Sequence, residues 1–241
     1  IAWNMITWYF GLPSSSSHAL IGGYAGAAIG KGGFDAILPG GWTLTLIFII
    51  IAPMIGLTLG FVFKVIVSWI GQGKNPATIG KWSRIMQLFS AASFSLGHGG
   101  NDAQKTMGII TSLLYAGGLV STFDVPLWVV LGAHTAIGLG TLSGGWRIVK
   151  TMGQKITRLQ PIDGFCAETA AASSIFISTY LGIPVSTTHV ITGAISGVGA
   201  TNRLTAVRWG VTLRIVWAWL FTIPASGIIG FLLYQVTRFL S

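Results

Sequence analysis

The sequence predicts an all-α protein: a polytopic transmembrane helical bundle with inverted repeats, broken helices and two re-entrant hairpins rich in serine and threonine. Three observations predict it: long stretches without charge, an internal repeat at constant spacing, and polar interruptions inside the apolar stretches. Of the 241 residues, 52% are hydrophobic and 8% are charged, against about 25% charged residues in an ordinary soluble domain. This composition excludes a secreted domain, a nucleic-acid-binding protein and a soluble enzyme, because their surfaces need more polar side chains.

Seven stretches of at least 17 residues contain no Asp, Glu, Lys or Arg. They are residues 1–30, 36–63, 85–101, 106–123, 125–146, 169–202 and 215–237. A helix of about 20 mostly apolar residues crosses a bilayer, so these stretches predict several membrane spans. The net charge of +9 comes from short segments between them. Because positive loops stay on the cytoplasmic side, we expect residues 64–84 and 147–158 to lie there.

An internal repeat relates residues 11–30 to residues 182–201 at a constant offset of 171. The identical pairs are Gly11 and Gly182, Pro13 and Pro184, Ser15 and Ser186, His18 and His189, Gly22 and Gly193, and Gly26 and Gly197. The same offset pairs Pro53 with Pro224. The loop after the first copy has no net charge and the loop after the second is positive, which favours inverted copies.

The repeat predicts three regions along the chain. Residues 1–70 would be the remainder of a first repeat, residues 71–84 a cytoplasmic linker, and residues 85–241 the second repeat. The second copy is preceded by two further apolar segments, and their counterparts in the first copy would precede Ile1. We therefore expect the chain to be N-terminally incomplete.

Residues 85–117 form a largely apolar run that is interrupted at its middle by GHGGND (97–102). A straight helix of that length would be about 50 Å long, against roughly 30 Å for the hydrocarbon core of a membrane. We expect a broken helix with unwound glycines. The break would bring Asn101 and Asp102 near the middle of the bilayer, with Lys105 one turn later on the same face. A carboxylate, an amide and free carbonyl groups are what a cation or proton site requires.

Glu168 is the second candidate carboxylate inside the membrane. It precedes the charge-free run 169–202, and small residues flank it on both sides. Small neighbours let helices approach closely, which would bury Glu168 between helices. The alternative is a residue at the level of the lipid headgroups, because Asp163 and Arg158 are near in sequence. For residues 101–105 the alternative is an interfacial loop with a snorkelling lysine.

Two hydroxyl-rich turns interrupt the repeated stretches, GLPSSSSH (11–18) and GIPVSTTH (182–189). Such a turn leads into a helix N-terminus, whose free N–H groups bind anions. We expect re-entrant hairpins at residues 11–30 and 182–200, and paired interruptions of this kind indicate the substrate site of a transporter. The tip side chains that can donate hydrogen bonds are Ser15, Ser16, Ser17, Ser186, Thr187 and Thr188.

These motifs, with GHGGNDAQKTMG (97–108) and GFCAET (164–169), resemble the inorganic phosphate transporter family, called PiT or Pit. The resemblance covers essentially the whole chain. It implies two inverted repeats, each with a G-x-N-D element, a helix with a carboxylate and a Ser/Thr hairpin. It matches Asn101 and Asp102 to ion and phosphate positions, Glu168 to the motif glutamate, and the six tip hydroxyls to phosphate contacts.

Two departures from the family pattern bear on function. The first G-x-N-D element and its glutamate are absent from this chain. Members coupled to sodium tend to read NDxAN, whereas Gln104 and Lys105 resemble the bacterial low-affinity Pit branch. For that branch the resemblance implies proton-coupled uptake of phosphate, often as a neutral metal–phosphate complex.

The function predicted is that of a secondary active transporter importing inorganic phosphate, as the free anion or as a metal–phosphate complex, by symport with a proton or another cation. Asp102, Glu168 and Lys105 would couple the cation, which is a proton, sodium or a divalent metal. The protein would be multi-pass in a bacterial cytoplasmic membrane, with lipid around it, no nucleic acid and no cofactor. Homo-oligomerisation stays open.

Two other transport functions stay open as well: a sulfate transporter of the same fold and a passive anion channel. We expect no enzyme, because no acid completes a Ser-His triad at a recognisable position. No metal ligand set is certain, because no His pair has the spacing or the nearby cysteines of a metal cage.

Overall fold

The computed structural model describes residues 1–240, and over these residues the chain is helical with no strand. This confirms the predicted all-α fold. The helices are α1 (Ala2–Phe10), α2 (Ser16–Gly32), α3 (Pro39–Gly71), α4 (Pro76–Ala116), α5 (Leu127–Leu142), α6 (Trp146–Lys150), α7 (Pro161–Tyr180), α8 (Thr187–Asn202) and α9 (Trp209–Leu240). Short 3-10 turns lie at Phe34–Ala36 and Leu204–Ala206, and a π-helical segment, Thr151–Ile156, continues α6.

Two helices, α3 and α9, are long and apolar enough to cross a bilayer. They have 33 and 32 residues, or about 50 Å each at 1.5 Å per residue. Helix α5 and the bent segment Trp146–Ile156 add a third span if they are counted as one, with a bend of 64° between them. Large apolar side chains cover the outside of the bundle, as expected of a protein that is solvated by lipid.

The two sequence copies fold into the same order of elements. Each begins with a helix that is followed by a left-handed glycine, directly at Gly11 (φ 64°) and one residue later at Gly182 (φ 68°), a conformation that favours glycine because it has no Cβ. A short turn, a helix of 17 or 16 residues, a 3-10 turn and a long helix with an internal proline follow. The element order thus repeats along the chain at the offset found in the sequence.

The copies pack crosswise. Helix α2 of the first copy lies on α9 of the second, and α8 of the second lies on α3 of the first; these are the most extensive contacts between helices. Glycines make the approach close: a Cβ on Gly26 would overlap the backbone of Gly227, and a Cβ on Gly197 would overlap the backbone of Leu57. Small residues therefore set the distance between the helices of each pair.

The predicted break in residues 85–117 is wrong, because α4 runs without interruption from Pro76 to Ala116. The glycines of the motif at 97–102 disfavour helix by about 1 kcal/mol each relative to alanine, but the motif contains no proline. Every residue of it therefore keeps its N–H donor for the helix, and packing against α7 supports the rod. At 41 residues, α4 is about 62 Å long and exceeds the thickness of a bilayer.

The region predicted as a cytoplasmic linker, 71–84, is mostly helical. Helix α3 ends at Gly71 and α4 begins at Pro76, so the non-helical connection is residues 72–75. The side chain of Asn75 accepts a hydrogen bond from the Ala77 N–H at 2.9 Å, and proline suits the first helical position, which needs no donor. With these two residues at its start, α4 begins at Pro76, before the charge-free run that begins at residue 85.

Candidate functional site

Two helix N-termini carry the predicted hydroxyl-rich tips. In the first, the Ser15 Oγ accepts a hydrogen bond from the backbone N–H of His18 at 3.2 Å. In the second, the Ser186 Oγ accepts from the N–H of His189 at 3.4 Å. Serine is a preferred N-cap because its oxygen satisfies one of the free N–H groups of the first turn. Both caps are buried, so the start of α2 and the start of α8 lie in the interior.

The two tips touch each other. The imidazole rings of His18 and His189 meet edge to face with their centroids 4.8 Å apart. Thr188 Oγ1 donates to the carbonyl oxygen of Ser14 at 3.4 Å. Trp219 of α9 stacks on the His189 ring at 3.8 Å, and its Nε1–H donates to the Pro13 carbonyl at 2.9 Å. The repeat therefore brings both tips to one place in the bundle.

Helix α4 supplies the charged groups at this place. The Lys105 ammonium donates to Ser17 Oγ of the first tip at 2.9 Å and to the Val185 carbonyl before the second tip at 2.8 Å. It lies 3.3 Å from Asp102 Oδ1. The Asn101 side-chain amide also donates to the Val185 carbonyl, at 3.3 Å. One helical turn of α4 thus contacts the tips of both copies.

The second carboxylate oxygen of Asp102 faces the other tip. Thr187 Oγ1 donates to Asp102 Oδ2 at 3.3 Å, and His98 Nε2 lies 3.4 Å from the same oxygen. The Asp102 side chain is only 14% exposed, and burying a carboxylate is tolerated when it is paired and hydrogen-bonded. Through the hydrogen bond from Thr187, the Asp102 carboxylate of α4 contacts the first residue of α8.

The structure brings five of the predicted site residues into one hydrogen-bonded cluster: Ser17, Asn101, Asp102, Lys105 and Thr187. Ser15 and Ser186 cap the two helices beside it, and Thr188 bridges the tips. Ser16 differs, because its side chain is exposed at the first position of α2. Asn101 and Asp102 were expected at a break in the helix, but they lie inside the continuous helix α4.

Glu168 lies outside this cluster, on α7. Its Oε2 accepts a hydrogen bond from Ser90 Oγ of α4 at 2.6 Å. Glu168 lines a cavity of about 1040 Å³ together with His98, which lies beside Asp102, and Thr188, which bridges the two tips. The cavity therefore connects the two candidate carboxylate regions. Its walls also include Pro13 of the first tip and residues of α6 and the π-helical segment. Among these residues, Lys150 brings a positive charge to the cavity wall.

Two partnerships in this region were missed by the sequence analysis. Ser90 was not singled out as the partner of Glu168, because one serine among many in an apolar run carries no distinguishing signal. Lys64 of α3 and Asp163 of α7 form a buried ion pair at 2.6 Å, although both were assigned to positions near loops. In the part of the chain that the structure describes, no group of three or more His, Cys, Asp or Glu side chains is placed to hold a metal ion.

Comparison with known proteins places the chain in a family. Residues 1–230 match the phosphate transporter family. A probable low-affinity inorganic phosphate transporter of Rhizobium meliloti is 55% identical over 97% of this chain and 70% of its own length. One of Bacillus subtilis is 46% identical over 98% of this chain and 71% of its own length.

A solved structure of a sodium-dependent phosphate transporter has the same fold, with a TM-score of 0.85 and 21% identity; the match covers all of this chain and 77% of that one. The relatives are named as transporters, which agrees with the prediction that the chain is not an enzyme. Both the resemblance seen in the motifs and its bacterial low-affinity branch are confirmed. From its match over nearly its whole length and its identity to these relatives, the chain belongs to the phosphate transporter family.

Proposed function

We propose that this protein is a secondary active transporter that imports inorganic phosphate together with a cation across a bacterial cytoplasmic membrane. The observation that carries the proposal is the convergence of two serine-capped helix N-termini on the Asp102–Lys105 pair. Helix N-termini bind oxyanions through their free N–H groups. The printed names of the relatives from Rhizobium meliloti and Bacillus subtilis agree with phosphate as the substrate.

Phosphate would be held by neutral donors of the two tips. The caps Ser15 and Ser186 use an oxygen lone pair to accept a backbone N–H, so their own O–H groups stay available to donate. The further donors are the hydroxyls of Ser16 and Ser17 and the second N–H of the Asn101 amide. Thr187 and Thr188 would donate to phosphate by exchanging their present acceptors, Asp102 and the Ser14 carbonyl. Neutral donors suit a transporter, because they bind the anion without holding it as strongly as a cluster of cations would.

The coupling cation would compensate the charge of phosphate at Asp102 and Glu168. Both carboxylates border the same region, Asp102 through His98 and Glu168 directly on the cavity. A proton on either carboxylate, a sodium ion or a divalent metal that travels with phosphate would reduce the repulsion between the carboxylate and the anion. A carboxylate near the ligand favours phosphate over sulfate, because phosphate near neutral pH still carries a proton to donate.

The transport cycle would use the two copies as inverted repeats that rock against each other around the site. The crosswise pairs α2–α9 and α3–α8 support this proposal, because each pair joins one helix from each copy through glycine contacts. The short helices α2 and α8 would be arms of re-entrant hairpins, since 17 and 16 residues are only about 25 Å long, less than the roughly 30 Å needed to span.

Uptake of labelled phosphate into liposomes that contain the purified protein tests the proposal. We expect accumulation above the external concentration when the outside is acidic relative to the lumen. Equilibration without accumulation under a proton gradient, under a sodium gradient and with added divalent metal would support the passive anion channel instead. Unlabelled sulfate should compete poorly, and strong competition by sulfate would support a sulfate transporter.

The matched variants are Asp102→Asn and Asp124→Asn. Asp102 is in the cluster, whereas Asp124 is an exposed residue of the loop between α4 and α5. We expect Asp102→Asn to lower coupled uptake by at least about tenfold, because Lys105 then lacks its charged partner, and Asp124→Asn to leave uptake unchanged. Normal accumulation by correctly inserted Asp102→Asn protein would remove Asp102 from the mechanism.

A further inference from the structure

The ammonium of Lys105 is surrounded by oxygen atoms from three parts of the chain. They are the carboxylate of Asp102 at 3.3 Å, the hydroxyl of Ser17 at 2.9 Å and the carbonyl of Val185 at 2.8 Å. Ser17 and Val185 are buried, and the Lys105 side chain is 18% exposed. A lysine ammonium has three N–H donors, so each donor has one oxygen to bind.

This set of ligands is of the kind that a metal cation takes. A carboxylate, a backbone carbonyl and a hydroxyl are hard oxygen ligands, and hard cations such as alkali and alkaline-earth ions prefer them. The only net negative charge in the set comes from Asp102, which matches one positive charge. The Val185 carbonyl belongs to the turn before α8 and already accepts from Asn101, so the site is fixed by more contacts than those of the lysine.

We propose that the Lys105 ammonium is a tethered cation, which occupies a monovalent cation site formed by Asp102, Ser17 and Val185 and removes the need for a free alkali ion there. The proposal rests on the proposed function, since it concerns how that site is charged. Lys105 joins Ser17 of the first tip to Val185 before the second, so a positive charge at this point holds the two tips together. All three N–H donors of Lys105 bind protein oxygens, so none is left for phosphate. Lys105 would affect phosphate binding by holding the two tips in position.

The first test is the sodium dependence of phosphate uptake in liposomes. In the wild-type protein, replacing sodium by choline should change uptake by less than about twofold, because the ammonium already fills the site. In Lys105→Ala, uptake in choline should fall at least about tenfold, because Asp102 is then buried without a cation. Adding sodium or methylammonium should restore a large part of it, because either ion can occupy the space that the lysine leaves.

Two controls separate a cation site from a general loss of structure. Lys81→Ala removes an exposed lysine of the same helix and should behave as the wild type in both media. The unfolding temperature in detergent should rise with sodium for Lys105→Ala, because an ion that binds only the folded state stabilises it. The double variant Lys105→Ala/Asp102→Asn should show no such rise, because it lacks the carboxylate.

Three results would overturn the inference. They are wild-type uptake that requires sodium, Lys105→Ala uptake that stays at the wild-type level in choline, and Lys105→Ala protein that is folded but responds to neither sodium nor methylammonium. The last result would mean that a free cation cannot replace the Lys105 ammonium at this place. Failure of the proposed function looks different: the wild-type protein would then transport no phosphate in any of these media.

Discussion

The two tips have the same local geometry and different surroundings. Both are capped by serine and both follow a left-handed glycine. The second tip is enclosed, because α8 packs against α3 and α7 and the His189 ring is fully buried under Trp219. The first tip is more open, since α2 packs mainly on α9 and its Ser16 is exposed. Local sequence thus determines how a tip is formed, and the neighbouring helices determine how rigidly it is held.

The Lys64–Asp163 pair is the contact whose loss should weaken the second tip most. It joins α3 to the first turn of α7, the two helices that enclose α8. We expect Lys64→Met to lower the free energy of unfolding by about 3–5 kcal/mol, because Asp163 would remain buried without its counter-ion and would keep only the hydrogen bond from the Gln160 N–H. The double variant Lys64→Met/Asp163→Leu should recover most of it, since no unpaired charge is left. Denaturation in detergent measures both, and equal stability of the single and double variants would contradict the ion-pair argument.

Equivalent glycines give a direct comparison of the two tips. A Cβ on Gly197 of α8 or on Gly26 of α2 would overlap the backbone of the long helix opposite. We expect Gly197→Ala to cost about 3 kcal/mol, the upper part of the range for overpacking, and Gly26→Ala less, because α2 can move outward. Thermal unfolding measures the difference, with Gly41→Ala, a helical position where a Cβ meets nothing within 4 Å, as the control for the gain in helix propensity alone. A larger loss of stability for Gly26→Ala than for Gly197→Ala would contradict the expectation that the second tip is the more firmly packed.

Trp219 should matter more than a tryptophan on the outer face of the same helix. Trp219→Phe keeps an aromatic ring under His189 but loses the hydrogen bond to the Pro13 carbonyl, which should cost about 1–2 kcal/mol. Trp217→Phe removes an exposed indole and should change the unfolding temperature little. If the two variants are equally stable, Trp219 does not tie the tips together.

The serine caps should give the smallest and most similar effects. Ser15→Ala and Ser186→Ala each remove one side-chain hydrogen bond to a first-turn N–H, which costs about 1 kcal/mol. Ser15→Thr and Ser186→Thr keep the acceptor and should restore most of the loss. Helix stability followed by circular dichroism during unfolding checks this, and a cost of several kcal/mol at one cap alone would show that the tips differ in local structure as well as in surroundings.

The local features were those that the sequence could predict. The glycine before each tip, the serine at each cap and the repeat at an offset of 171 depend on residues close together in the chain or on a simple comparison of its two copies. The sequence also singled out Asp102 and Lys105, which the structure brings together, and Glu168, which lies outside the cluster, because a charge inside a long apolar run is rare and costly.

The features that were missed depend on tertiary packing. The expected break at residues 97–102 does not form, because α4 packs on α7, and this contact, which includes Gly97, supports a helix that its glycines would weaken in isolation. The partner of Glu168 is Ser90, 78 positions away, and Lys64 meets Asp163 across a still longer separation. Single residues at such distances leave no periodic pattern, so only the folded chain reveals them.

An unbroken α4 has a mechanical consequence for the transport cycle. A hinge at the glycines would have let one end of the helix swing while the other stayed in place, but a continuous rod transmits tilt along its length. Asp102 and Lys105 lie on this helix and form hydrogen bonds with both tips. A tilt of α4 would therefore displace both copies at the same time. The proposed phosphate site and the distant end of α4 near Asn75 would therefore move together.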